Sequence, residues 1–246
     1  MAGSRLAKQH RSNFVGTRGL RRSLSLPIDK TLMNETTKSC VPVPGTAGYG
    51  RAVEHFVDLS RALSFDVVCR DFLRFLPEPP ARVLDAGAGA GQNAAALTEK
   101  GHEVVAVEPF GPFLDAARAG YPQHGVLWLN DSLPELATVP DQETGFDFIL
   151  ATGVWHHLSS AEQSRALERF RDLLKPGARC ALSLRNGPPG LGTCVYPTCV
   201  RAILDDASGL GFETDFLIED QPSLLPGKDD VRWSRVVLRK RREPAP

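Results

Sequence analysis

From Ala52 to Leu76 the apolar residues, among them Val53, Phe56, Val57, Leu63, Val67, Val68, Phe72 and Phe75, recur largely at three- and four-residue spacing. That spacing predicts one or two amphipathic helices, because it gathers side chains on one face of a 3.6-residue turn. The Pro77-Glu-Pro-Pro80 run stops them, since proline lacks the helical N–H donor. Beyond it, short apolar runs alternate with helical patterns. Strands are predicted over 82–86, 103–107, 126–129, 146–151 and 179–184, and helices over 93–100, 112–119 and 161–174. Runs that are apolar throughout fit strands buried on both faces, as in a parallel sheet with crossover helices. A last helix over 200–210 precedes two strands over 213–218 and 231–239, separated by Pro222, Pro226 and Gly227. Two consecutive strands with no helix between them predict an antiparallel hairpin at the end of the sheet.

Composition narrows the class. With 246 residues, 42% hydrophobic and 24% charged, the chain is long enough for one large core without disulfides. No apolar run reaches the roughly 18 to 20 residues that span a bilayer, so no membrane partner is expected. Five cysteines, of which Cys194 and Cys199 are the closest pair, complete no zinc pattern, so no metal is expected and reduced thiols suit a cytoplasmic location. The formal charge of zero hides an asymmetry: residues 1–30 carry seven basic side chains and one acid. That leader is net +6, which leaves −6 for the remainder. It has the Arg- and Ser-rich look of an organelle address if the source is eukaryotic, and otherwise reads as a disordered tail. The Val41-Pro-Val-Pro-Gly-Thr-Ala-Gly48 stretch reads as a linker. Residues 1–48 are therefore expected to be a flexible leader and linker, 49–242 the folded domain with a helical cap, and 243–246 a tail.

The segment richest in chemical meaning is Val83-Leu-Asp85-Ala-Gly87-Ala-Gly89-Ala-Gly91-Gln-Asn93, a strand entering a glycine-rich turn and then a helix. Such a turn lets backbone approach a ligand with no side chain between. Glu108, twenty-one residues after Gly87, ends the second strand, where a carboxylate can accept both hydroxyls of a ribose. The dinucleotide pattern G-x-G-x-x-G fails at Gln92, and no Gly-Lys-Ser/Thr follows to make a phosphate loop.

The loop resembles the first motif of the class I S-adenosylmethionine-dependent methyltransferases, E/D-x-G-x-G-x-G, at Asp85, Gly87, Gly89 and Gly91. The resemblance continues through Leu127-Trp-Leu-Asn-Asp131-Ser-Leu-Pro134, similar to the third-strand motif, and Phe146–Leu158, similar to the fourth strand and its exit. Leu173-Leu-Lys-Pro-Gly177 resembles the turn into the fifth strand. It implies a Rossmann-like α/β fold, a doubly wound, mostly parallel seven-stranded sheet with an antiparallel last strand. It also implies S-adenosyl-L-methionine as cofactor, contacted by Asp85, Gly87, Ala88, Gly89, Gly91, Asn93, Glu108, Pro109, Asp131, Ser132, Leu133, Thr152, Gly153 and Trp155. Among these, the Asp131 carboxylate is expected to accept from the adenine amine.

His156 and His157 follow the fourth strand, at the expected rim of the site, where either can serve as a base near neutral pH. Arg185, at the carboxyl end of the fifth strand, suits an acceptor carboxylate. Tyr49 and Arg51, just before the first helix, fall where the family carries a lid and are assigned to the substrate with Arg185. The expected activity is methyl transfer to a small-molecule acceptor through oxygen. No nucleic acid is expected, because no basic face large enough for a polymer is visible. Two other readings stay open at this point: a cofactor-binding scaffold without turnover, and a nicotinamide-dependent oxidoreductase.

Overall fold

A computed structural model describes residues 43–122, 125–139 and 145–242 of the chain. The leader through residue 42 and the tail 243–246 lie outside the described residues.

Seven strands form one sheet: β1 (Arg82–Ala86), β2 (Glu103–Val107), β3 (Leu127–Leu129), β4 (Phe146–Ala151), β5 (Leu174–Asn186), β6 (Phe212–Pro222) and β7 (Arg232–Lys240). Their order is β3-β2-β1-β4-β5-β7-β6. The first five run parallel, and β7 lies antiparallel between β5 and β6. The chain order reverses beside β1, between β2 and β4. In open α/β sheets the crevice at the carboxyl ends of such strands is where ligands sit.

The central strands carry apolar side chains to both faces, and helices cover each face. Leu84, Ile149 and Leu182 pack on one side with Leu167 and Phe170 of α5 (Ser160–Leu173) and Ile203 of α6 (Val200–Gly209). On the other side Val83, Phe148 and Ala181 meet Leu97 of α3 (Gln92–Glu99), with Phe65, Cys69 and Phe72 from the segment before β1. That segment comprises α1 (Val53–Ala62), a four-residue α2 (Phe65–Val68) and a 3₁₀ turn at Leu73–Phe75. The helix α4 (Gly111–Gly120) follows β2. A capping box starts α5: the Ser159 backbone N–H donates to the Glu162 carboxylate at 2.8 Å, and the Ser159 side chain accepts from the N3 amide. This satisfies donors that a helix start would otherwise leave orphaned.

Two local expectations need correction. Lys175-Pro-Gly177 is not a turn outside the fifth strand but lies within β5, where the register against β4 shifts between Phe146 and Phe148. Gly177 has φ +82°, so the extra residues form an irregularity in a paired strand. The expected linker is, from Val43 onward, part of the folded domain. Pro44–Thr46 forms a 3₁₀ turn, the Thr193 N–H donates to the Ala47 carbonyl at 2.8 Å, and Gly45 abuts the His157 side chain.

Candidate functional site

The carboxyl ends of β1, β2, β4 and β5, with the cap beside them, line a cavity of about 390 Å³, a size that suits a small ligand. At its base the chain leaves β1 through the glycine loop. Gly87 has φ +81°, and a Cβ there would meet Val154 at 2.8 Å. The Gly89 amide donates to Glu108 Oε2 at 2.9 Å and the Phe110 amide to Oε1 at 2.8 Å. Glu108 thus ties the loop after β1 to the loop after β2, and each oxygen keeps a further lone pair. Burial pushes the Glu108 carboxyl up to about 7, against the pull of those two amides. Asp85, fully buried behind the loop, is also pushed up to about 7, by burial and then by the charge of Glu108.

On the opposite wall, Asn93 Nδ2 donates to Thr152 Oγ1 at 2.9 Å, and the Gly153 amide donates to Ser183 Oγ at 2.8 Å. The segment after β4 is thereby tied to α3 on one side and to strand β5 on the other. Several buried polar atoms here lack a hydrogen-bond partner among the described residues: Gln92 Oε1, Asn93 Oδ1 and His156 Nδ1. Buried groups of this kind are costly unless something satisfies them. Over the cavity, Tyr49 sits edge-on to Phe56 and Phe113, with ring centroids 5.3 and 5.2 Å apart.

The two histidines differ sharply. His157 Nδ1 lies 2.6 Å from the Cys194 carbonyl and its Nε2 lies 2.9 Å from the Tyr49 hydroxyl. A carbonyl only accepts, so Nδ1 carries the proton and Nε2 accepts from Tyr49. Burial lowers the His157 pKa, which favours this neutral form, and burial pushes the Tyr49 phenol up to about 12. His157 therefore straps the segment around Tyr49 to the loop around Cys194. Removing only the hydroxyl, in Tyr49→Phe, is expected to cost about 1 kcal/mol of stability, the usual size of one buried hydrogen bond. Urea unfolding measures this, and an unchanged midpoint would show that the strap carries no load. His156 lines the cavity and is held neutral, its pKa lowered to about 2 by burial, by His157 and by Arg185.

The cavity wall brings together Tyr49, Gly87, Ala88, Gly89, Asn93, Glu108, Pro109, Ser132, Leu133, Thr152, Gly153, His156, His157 and Arg185. Five residues singled out from the sequence lie elsewhere. Asp85 is behind the loop. Gly91 starts α3 and packs against Trp128 and Ala117. Asp131 turns both oxygens into its own loop, accepting from the Ser132 amide at 2.7 Å and the Thr138 amide at 2.6 Å. Trp155 is fully buried in the core with its ring centroid 5.9 Å from Phe170. Arg51 is exposed. Sequence reasoning missed Phe56, Phe113, Gln92, Ser183 and Arg235, all of which line the cavity. For Arg235 a signal exists: it is a lone cation in the strand run Trp233-Ser-Arg-Val-Val-Leu238.

Comparison with known proteins places the chain in a family. A family model described as a methyltransferase domain matches residues 60–193, just over half of the chain. An uncharacterised methyltransferase of Mycobacterium tuberculosis is 36% identical over 107 residues, 44% of this chain and 41% of that protein. Another, from Geobacillus kaustophilus, is 33% identical over 97 residues, 39% of this chain and 43% of that protein. The match thus spans about two fifths of the length of these curated relatives. A TehB-like S-adenosylmethionine-dependent methyltransferase from Corynebacterium glutamicum superposes with a TM-score of 0.59 at 22% identity, covering 79% of this chain and 99% of that one. The 1,6-didemethyltoxoflavin-N1-methyltransferase of Burkholderia thailandensis, solved with bound 1,6-didemethyltoxoflavin and S-adenosylhomocysteine, superposes with a TM-score of 0.52 at 21% identity, covering 79% of each chain. These likenesses are of fold, and the family match joins them: the chain belongs to the methyltransferase-domain family and has the fold of the class I S-adenosylmethionine-dependent methyltransferases.

Proposed function

We propose that this protein transfers a methyl group from S-adenosylmethionine to a small-molecule acceptor, through an oxygen atom. The observation that carries this reading is the continuity of one cavity from Glu108 and the glycine loop to His156 and Arg185. The residues present suit the cofactor. Glu108, anchored by two amides, keeps lone pairs for ribose hydroxyls, and the unpartnered oxygens of Gln92 and Asn93 are acceptors for the amine and hydroxyl donors of such a ligand. Ser132 and Leu133, rather than Asp131, border the cavity on the side after β3. Bound S-adenosylmethionine supplies a methyl group already activated on a sulfonium, so the protein's task is chiefly to hold the acceptor in line and exclude water.

With His157 committed to its strap, His156 is the neutral acceptor for the proton of a hydroxylated acceptor. Its lowered pKa keeps the imidazole neutral, which suits accepting a hydrogen bond from that hydroxyl and orienting it toward the methyl group. A cavity of this size favours a small molecule over nucleic acid. No described helix is long and apolar enough to cross a membrane, and we take the cytoplasm as the place of action. Labelled methyl transfer from S-adenosylmethionine against hydroxylated, aminated and thiol acceptors tests the reading. Binding of S-adenosylhomocysteine with no transfer to any acceptor or cell extract would favour the scaffold instead, and tight NAD binding alone would favour the oxidoreductase.

A pH dependence follows from Glu108. Its folded pKa of about 7 lies above the ordinary carboxylate range, so the ligand-free protein binds extra protons relative to the unfolded chain. Stability from this group is full below the unfolded pKa and is lost as pH rises through about 7. Ribose hydroxyls need the ionised form as acceptor. Affinity for S-adenosylhomocysteine is therefore expected to rise roughly tenfold between about pH 6 and pH 8, as the ionised fraction grows. Calorimetric titration across that range measures it, and Glu108→Gln should flatten most of the slope.

A further inference from the structure

Two arginines on one face of the sheet have more positive charge than the protein around them balances. Ser183 of β5 pairs with Arg235 of β7, and Arg185 pairs with Trp233. Arg185 and Arg235 are thus diagonal neighbours on the same face, a separation of roughly 7–8 Å that long side chains bridge. Both are buried, with 9% and 4% of their surface exposed, and both line the cavity. Arg185 donates to the carbonyls of Gly187 at 3.3 Å and Pro188 at 2.6 Å, and makes no ion pair among the described residues. Among the described residues Arg235 has one acidic partner, Asp71, whose Oδ2 lies 3.3 Å from its Nε, and its buried Nη1 has no hydrogen-bond partner. Asp71 is itself shared with Arg70 at 3.6 Å. Asp230 acts on Arg185 only at longer range.

A buried guanidinium without a matching anion is unfavourable in an empty protein and becomes favourable when an anion arrives. A planar fork of donors matches a carboxylate. Val68, Leu224, Leu225, Val231 and Trp233 supply apolar lining to the same cavity, beside the polar Ser223 and Lys228. We propose that the acceptor is an apolar organic molecule bearing a carboxylate, and that Arg185 and Arg235 together bind that carboxylate at the end of the cavity away from Glu108. That the bound acid is the methyl acceptor rests on the methyl-transfer reading, while the anion site itself stands on the two arginines. Asp71 is a positioning residue that holds Arg235 and competes for its charge.

The test uses the full chain, with and without saturating S-adenosylhomocysteine, and matched pairs of carboxylic acid and primary amide: 4-hydroxybenzoate with 4-hydroxybenzamide, indole-3-acetate with indole-3-acetamide, and octanoate with octanamide. At least one acid is expected to bind tenfold or more tightly than its amide. That preference should fall below threefold in Arg235→Met, persist in part in Arg235→Lys, and increase in Asp71→Asn. The last variant keeps the test readable if Arg235→Met fails to fold. No acid exceeding its amide in the wild type, or a preference unmoved by the Arg235 and Asp71 variants, would overturn the anion site. Failure of S-adenosylhomocysteine to bind would instead overturn the methyl-transfer reading, leaving the acid preference of the ligand-free chain to be judged separately.

Discussion

Replacing Glu108 with alanine is expected to weaken S-adenosylhomocysteine binding at least about a hundredfold while changing folding stability by no more than about 1 kcal/mol. The asymmetry comes from what the carboxylate does in each state. In the free protein it accepts from the Gly89 and Phe110 amides, but it is also a buried acid that burial drives toward protonation. The hydrogen bonds stabilise and the desolvation opposes, so its loss is nearly neutral for the fold. In the bound state the same carboxylate both shapes the glycine loop and accepts from the ligand. Charge-assisted bonds contribute about 1.5 to 3 kcal/mol each, and losing two of them accounts for a hundredfold or more. Calorimetric titration and thermal unfolding of the same samples separate the two quantities. Unchanged affinity would mean that the cofactor does not lie against the end of β2.

Gly91→Ala is expected to act in the opposite sense, with a large loss of stability whether or not ligand is present. Gly91 has φ +88°, and an added Cβ would stand 2.7 Å from Trp128 Cη2 and 2.8 Å from Ala117 Cβ. The left-handed backbone costs an L-residue roughly 1–2 kcal/mol, and overpacking adds about 1–3 kcal/mol more. A loss of about 3 kcal/mol is therefore expected, read as a lower urea midpoint. Gly209→Ala is the control, since a Cβ there meets nothing within 4 Å at an ordinary φ. Trp128→Leu should recover only the part of the Gly91→Ala loss that comes from the indole, leaving the Ala117 contact and the backbone share. A Gly91→Ala protein of normal stability that fails only in ligand binding would return this glycine to the binding loop.

These two residues illustrate how much of the site could be read from the chain. A strand, three spaced glycines, a helix and a carboxylate at the end of the next strand are local features. They identify where a ligand loop must form, and Glu108 together with Gly87 and Gly89 meets at the cavity as that pattern implies. The third glycine carries the same letter for a different reason, close packing under α3, because a sequence motif does not distinguish a glycine that admits a ligand from one that admits a neighbouring ring. Asp131 and Trp155 show the same ambiguity. Their positions after β3 and β4 were legible, but the carboxylate caps its own loop through Thr138 and the indole packs on Phe170 in the core.

Apolar runs alternating with helical patterns sufficed for the succession of strands and helices along the chain, since strands apolar on both faces need helices over each face, and a right-handed crossover sheet supplies them. They could not indicate which side chains meet across the top of that sheet. Tyr49 and His157 are 108 residues apart in the chain and share a hydrogen bond, and that contact, with the Cys194 carbonyl behind it, is what makes one histidine a strap and leaves its neighbour facing the cavity. Arg185 and Arg235 become neighbours only because β7 inserts antiparallel beside β5 in a particular register. Pairing of distant strands is set by the packing of the whole core, so the chemistry at the rim of this sheet came into being with the fold and was not written in any one segment.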